Sequence, residues 1–90
     1  LPLVLCEAML SGCFVIASSV CDHPMIIGDN ERGLLCDPTS PESICFSLEA
    51  LNKMDLNTRK SIINNARNYA YNNFNFDEML RKYEELFPRA

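Results

Sequence analysis

Residues 3–17 carry a single charged side chain, Glu7, in a run that is otherwise apolar or neutral. A run of this kind must be enclosed by other elements, and it divides at Gly12. Pro2 suits the first helical position, Leu3 to Ser11 read as a short helix, and Gly12 suits its C-terminal cap. The helix is apolar nearly all round and should be buried on most sides. Cys13 to Ala17 is a continuous apolar run of strand length, the pattern of a parallel strand covered on both faces. A lone carboxylate is costly to bury there unless it is hydrogen-bonded. Glu7 therefore either looks out through a gap in the packing or holds a polar ligand.

Beyond the run, Ser18 to Pro24 read as a loop at the C-terminal end of that strand, and Pro24 to Ile27 as a single helical turn. Gly28 to Gly33 form a turn, and Leu34–Cys36 a second short strand closed by Asp37-Pro38. Ser40 caps a following helix, with Pro41 in its first position and Glu42 facing the dipole. Ile44, Cys45, Leu48 and Leu51 recur at helical spacing and define its expected inner face. Asp55 caps the next helix, whose inner face is expected to hold Ile62, Ile63, Ala66, Tyr69 and Ala70. Asn75 and Glu78 have the spacing of a capping box, with Phe74 stapled against Met79. The last helix places Phe76, Met79, Leu80, Tyr83, Leu86 and Phe87 on one face. Two parallel strands are too few to bury these helices. The expected class is α/β: the second half of a Rossmann-like, doubly wound parallel sheet with a helix-rich C-terminal part. Residues 1–40 would form the sheet-and-helix half and residues 41–90 three C-terminal helices.

Charge narrows the function classes. Residues 1–45 hold one cation, Arg32, against six acids, and residues 46–90 seven against six, so the halves carry −5 and +1. That distribution has no basic footprint for nucleic acid. Five cysteines are an odd number, no C-x-x-C spacing occurs, and His23 is the only histidine. This argues for reduced thiols in a cytosolic protein over disulfides or zinc. A Cys21–His23 metal site lacks further ligands. No apolar run has the length of a membrane span. The chain opens at Leu1 directly into apolar sequence, and an upstream part is expected.

At this point the residues match a family. Pro2-Leu3-Val4-Leu5-Cys6-Glu7-Ala8-Met9, with Ser11-Gly12-Cys13 and Val15-Ile16-Ala17-Ser18, resembles the P-L-V-x-x-E-A-M-A-x-G-x-P-V-I-A-S block of retaining GT-B glycosyltransferases (glycosyl transferases group 1, family 4-like). Pro24 with Ile26-Ile27, Asn30 through Gly33-Leu34-Leu35, Asp37-Pro38, Pro41-Glu42, Asn65-Ala66-Arg67, and Phe74-Asn75-Phe76 with Tyr83 continue the resemblance along the chain. Phe14 stands where that block has Pro, and Cys21-Asp22 where many relatives have Gly-Gly, which adds a negative charge to the loop.

The resemblance implies the C-terminal, donor-binding domain of an enzyme that moves a hexose-type sugar from a nucleotide-diphosphate sugar to a sugar or lipid-linked acceptor, with retention and without a metal. Glu7 matches the second Glu of an E-x7-E signature, which implies hydrogen bonds to the ribose hydroxyls. The first Glu, the phosphate-binding cations and the acceptor-binding N-terminal domain would lie upstream. Part of the last helix's stripe would then be an interface to that domain, where core packing is otherwise the default. The implied location is cytoplasmic, with the inner face of a membrane as a variant.

The residues themselves agree with that site. Backbone amides of Leu3 and Val4 are free donors at a helix N-terminus, where the dipole favours a phosphate. Glu7 follows Leu3 by four residues and shares its face, and an acceptor-only carboxylate suits paired hydroxyls. The competing reading is a solvated acid on a helix edge. Cys21, Asp22 and His23 are candidate loop contacts because they lie beyond a strand's C-terminal end. For His23 a capping or surface role competes. The alternative function is a non-catalytic α/β module that keeps the fold without donor binding, and a piece of this size is expected to be inactive alone and to self-associate.

Overall fold

The computed structural model describes residues 3–87, and the side chains of all of these except Phe76, Met79 and Tyr83. Seven elements follow in order: α1 (Leu3–Leu10), β1 (Ile16–Ser18), α2 (His23–Ile27), β2 (Leu34–Cys36), α3 (Pro41–Lys53), α4 (Leu56–Asn73) and α5 (Phe76–Leu86). β1 and β2 pair in parallel, with Ile16, Ala17 and Ser18 opposite Leu34, Leu35 and Cys36. The structure is thus the small parallel α/β piece, rich in helix, that the apolar patterning predicts. The role expected for Pro2 lies outside the described residues.

Gly12 ends α1 as expected. It has φ +80°, its N–H donates to the Met9 carbonyl at 3.3 Å, and the Cys13 N–H donates to that of Ala8 at 3.1 Å. These two bonds close the helix in a Schellman arrangement. They also explain why the strand is shorter than the apolar run. The Cys13 amide is spent on α1, and β2 offers only three partners, so pairing covers Ile16–Ser18 and takes in Ser18, expected in the loop. The ladder gains a further bond at each end, from the Leu34 N–H to the Val15 carbonyl at 3.0 Å and from the Ser19 N–H to the Cys36 carbonyl at 2.8 Å.

The core lies between α1, the strand pair, α2 and α4. It joins Leu5, Met9, Val15, Ala17, Ile26, Ile27, Ala66 and Ala70. Ala66 and Ala70, one turn apart on α4, present small side chains that let α4 approach closely. Ile62 is buried on the same face and Tyr69 packs against the core, so the inner face expected for α4 is the observed one. Arg67 Nε donates to the Leu10 carbonyl at 3.3 Å and Asn65 Nδ2 to the Glu31 carbonyl at 3.1 Å. The triplet Asn65-Ala66-Arg67 therefore ties α4 to a turn, the core and the end of α1.

Arg32 is engaged in the same way. Its Nε donates to the Ile26 carbonyl, 2.6 Å away, and its Nη2 to that of Met25 at 3.1 Å. Its guanidinium carbon lies 4.0 Å from the Tyr69 ring centre, and Tyr69 meets Phe74 edge-on at 5.9 Å.

α3 departs from expectation. Ser40 caps it, accepting from the Ser43 N–H at 3.1 Å, but the buried residue is Ser47, whose hydroxyl donates to the Leu35 carbonyl at 3.3 Å. Ile44 and Cys45 are exposed and Leu48 is 54% exposed, with Leu51 half-buried. The reason is geometric: a serine lets the helix sit close on β2, and two three-residue strands cannot also cover the Ile44–Leu48 flank. In α5, Asn75 Oδ1 accepts from the Glu78 N–H at 3.0 Å, as the capping spacing predicts. Leu80, Leu86 and Phe87 are exposed, so these members of the expected stripe lie outside the core. The remaining stripe members, and the Phe74–Met79 staple, fall on side chains outside the described set.

These contacts set how stability responds to mutation and to pH. A Cβ at Gly33 (φ +152°) would stand 2.6 Å from the Val15 carbonyl oxygen. Gly33→Ala should therefore lower stability by about 1–3 kcal/mol, read as a fall in melting temperature. Hydrogen bonds from Thr39 hold the Asp37 carboxyl below its ordinary range, and those from Thr58 do the same for Asp55. Both groups favour the folded chain above the unfolded carboxylate pKa, about 3.9, and lose that contribution as pH falls through the lower folded values. Melting temperature should fall below about pH 4 for this reason, and Asp55→Asn, which keeps the cap and removes the charge, should make the fall shallower.

Candidate functional site

α1 stands at the edge of a cavity of about 580 Å³. Leu3, Val4, Leu5 and Ala8 contribute one side of its lining, residues 14–17 another, and His23 closes it near the end of β1. Val15 and Ala17 are buried and also belong to the core, while Phe14 and Ile16 are half-buried, so both pleats of this run border the cavity.

Glu7 lies on an exposed flank of α1, although Leu5, Cys6 and Met9 around it are buried. Burial pushes the neighbouring Cys6 thiol above its ordinary range, which fits a packing role for that residue. The Glu7 backbone carbonyl accepts from the Ser11 N–H and hydroxyl, at 3.0 and 2.8 Å. Among the described residues, none donates to its carboxylate. Glu7 is outside the cavity lining, one helical turn from Leu3, which is inside it. Val4 is 81% exposed.

The loop residues separate. Cys21 adopts φ +53°, a left-handed conformation that a residue with Cβ enters at a cost of about 1–2 kcal/mol. Glycine would enter this conformation without that cost. Asp22 precedes α2 without a side-chain cap bond. Cys21 and Asp22 are both exposed and stand outside the cavity lining. His23 is half-buried and lines the cavity, with Nδ1 2.9 Å from the Ser18 carbonyl oxygen and 3.3 Å from the Ser18 hydroxyl. It thus bonds the last residue of β1 and also forms part of the cavity wall.

The electrostatics of this half are set by what Arg32 does. The one cation among residues 1–45 is bound to α2 carbonyls and the Tyr69 ring, so its charge serves the fold. Among the described residues, no three His, Cys, Asp or Glu side chains gather closely enough to hold a metal ion. No described helix is long and apolar enough to cross a membrane.

Similarity to known proteins fits this geometry. The chain is 31% identical over 85 residues, 94% of its length, to an uncharacterised glycosyltransferase of Methanocaldococcus jannaschii, of which it covers 21%. Its structure matches a sucrose-phosphate synthase of Thermosynechococcus elongatus with TM-score 0.77 and 25% identity, over 97% of this chain and 22% of that one. It matches a glycosyltransferase of Rickettsia africae with TM-score 0.74 and 24% identity, over 97% and 24%. The chain thus spans about a fifth to a quarter of the length of these proteins. Residues 1–69 match the family described as glycosyl transferases group 1. The chain belongs to that family, and its fold is that of the C-terminal part of GT-B glycosyltransferases.

Proposed function

We propose that this chain supplies donor-binding surface to a retaining, metal-independent glycosyltransferase that moves a hexose-type sugar from a nucleoside diphosphate to a sugar or lipid-linked acceptor in the cytoplasm. One observation carries the proposal. The exposed, unpartnered carboxylate of Glu7 lies one turn from Leu3, at the open start of a helix whose neighbouring residues are buried. In this reading the Leu3 and Val4 amides approach the diphosphate, as the positive end of a helix favours. Glu7 accepts from the two ribose hydroxyls. Residues 1–40 carry the donor-site edge, and the three helices of residues 41–90 support it. Cys21 and Asp22, exposed outside the cavity, are left as contacts for a ligand portion that extends past it.

The chain covers about a fifth of the curated relative, so the cations for the diphosphate, a second acidic residue and the acceptor site belong to the rest of such a protein. The commitment of Arg32 to the fold supports that division. It is equally what favours the second reading, a non-catalytic module of the same fold, which predicts no nucleotide binding by the whole protein.

In the whole protein, Glu7→Gln should weaken nucleoside diphosphate binding about tenfold or more, since hydrogen bonds to a charged group contribute about 1.5–3 kcal/mol. Titration calorimetry reads this directly, and unchanged affinity would rule out the ribose assignment. Residues 1–90 expressed alone should self-associate, because Ile44, Phe46, Leu48 and Leu56 are exposed. Sedimentation equilibrium at the monomer mass would contradict this.

A further inference from the structure

Among the described residues lining the cavity beside α1, His23 is the one whose side chain carries a polar atom. Its Nδ1 is 2.9 Å from the Ser18 carbonyl oxygen. A carbonyl oxygen only accepts, so Nδ1 bears the proton, and in the neutral ring Nε2 keeps its lone pair. A backbone atom at the C-terminal end of β1 thereby fixes both tautomer and ring orientation. That end of a parallel strand is where ligands bind in open α/β sheets. The rest of the lining is hydrocarbon: Leu3, Val4, Leu5 and Ala8 from α1, and residues 14–17 from the β1 side. A cavity of about 580 Å³ with apolar walls and one oriented acceptor has the make-up of a small-molecule site.

Resting on the donor-site reading above, we infer that His23 is a specificity-determining residue whose Nε2 accepts a hydrogen bond from a hydroxyl of the transferred sugar. The assignment to the sugar follows from position. Leu3 and Val4 share the cavity with His23, and Glu7 lies outside it. A diphosphate held at the Leu3 and Val4 amides stands between ribose and sugar. With the ribose on the Glu7 flank, the sugar enters on the His23 side. The hydrocarbon walls take the C–H face of a pyranose, and Nε2 takes one of its O–H groups. A ligand with a hydroxyl there gains a hydrogen bond that the free diphosphate does not make. His23 thus selects for the nucleotide sugar over the free nucleotide.

Two variants of the whole protein separate the ring nitrogens. In His23→Asn the amide stays near the Nδ1 position and keeps donating to Ser18, while nothing reaches the place of Nε2. In His23→Gln the longer side chain returns a polar atom to that place. Calorimetry compares UDP-glucose and GDP-mannose, each beside its free nucleoside diphosphate. His23→Asn should weaken the nucleotide sugar by about three- to tenfold, the scale of one neutral hydrogen bond. The free diphosphate should bind as before, and His23→Gln should recover part of the loss. Equal loss for both ligands, or loss for neither, overturns the inference.

Ribose is common to both ligands, so Glu7→Gln should weaken both. If it weakens neither, the donor-site reading fails, and the two failures are distinguishable. A wild type that binds neither pair overturns the inference together with that reading. If His23→Asn melts far below the wild type, His23→Gln and His23→Leu replace it. The preference for nucleotide sugar over free diphosphate should then be greater in His23→Gln than in His23→Leu, and an equal preference overturns the inference.

Discussion

The Arg32 guanidinium is held between the last carbonyls of α2 and the face of Tyr69. α2 has five residues, too short to be stable by its own hydrogen bonding. Its C-terminal carbonyls need a donor, and Arg32, five residues past its end, folds back to supply two. The same plane then lies on the ring of a residue in α4, a half-buried cation–π contact on the order of 1–2 kcal/mol. Ile26 and Ile27, the buried end of α2, are thereby fixed against Ala66 and Ala70. Asn65 and Arg67 extend the same face of α4 to the preceding turn and to α1. α4 is thus the beam on which the short elements of the first half are hung.

Much of this frame was legible in the sequence because it rests on local chemistry. Gly12, Ser40, Asp55 and Asn75 mark helix ends by rules that involve a few neighbouring residues, and each marks one here. The inner face of α4 was legible for a similar reason, since Ile62, Ala66, Tyr69 and Ala70 recur at helical spacing. The inner face of α3 was not. Its apolar residues outnumber what a two-stranded sheet can cover, and the buried position went to Ser47, whose small hydroxyl finds the Leu35 carbonyl. Hydrophobicity alone ranks Ile44 and Leu48 above serine, and only the distance to β2 reverses that order.

The candidate site divides along the same line. That Glu7 stands out from its surroundings is visible in the composition of residues 3–17, and the structure leaves its carboxylate exposed. The cavity was harder to foresee, because its walls come from α1 and β1 together and neither element's pattern names the other. His23 shows the limit most plainly. A lone histidine in a loop says nothing of its tautomer, which depends on the Ser18 carbonyl five residues back. The roles of Arg32 and Arg67 were likewise hidden, since a charged residue in a sequence does not declare whether it faces solvent, a ligand or a carbonyl.

The bond from Arg67 to the Leu10 carbonyl spans 57 positions of sequence, and that span has a meaning for how the chain is made. At ~5–20 residues per second, Arg67 leaves the ribosome roughly 3–10 s after Leu10. Through that interval the first helix has its Gly12 turn but no α4 beneath Cys6 and Met9, and its apolar surface stays open to chaperones or to other nascent chains. Contacts so distant in sequence also slow folding, because loop closure precedes any gain from packing. The helix that bears Glu7 is therefore synthesised well before the helix that locks it in place.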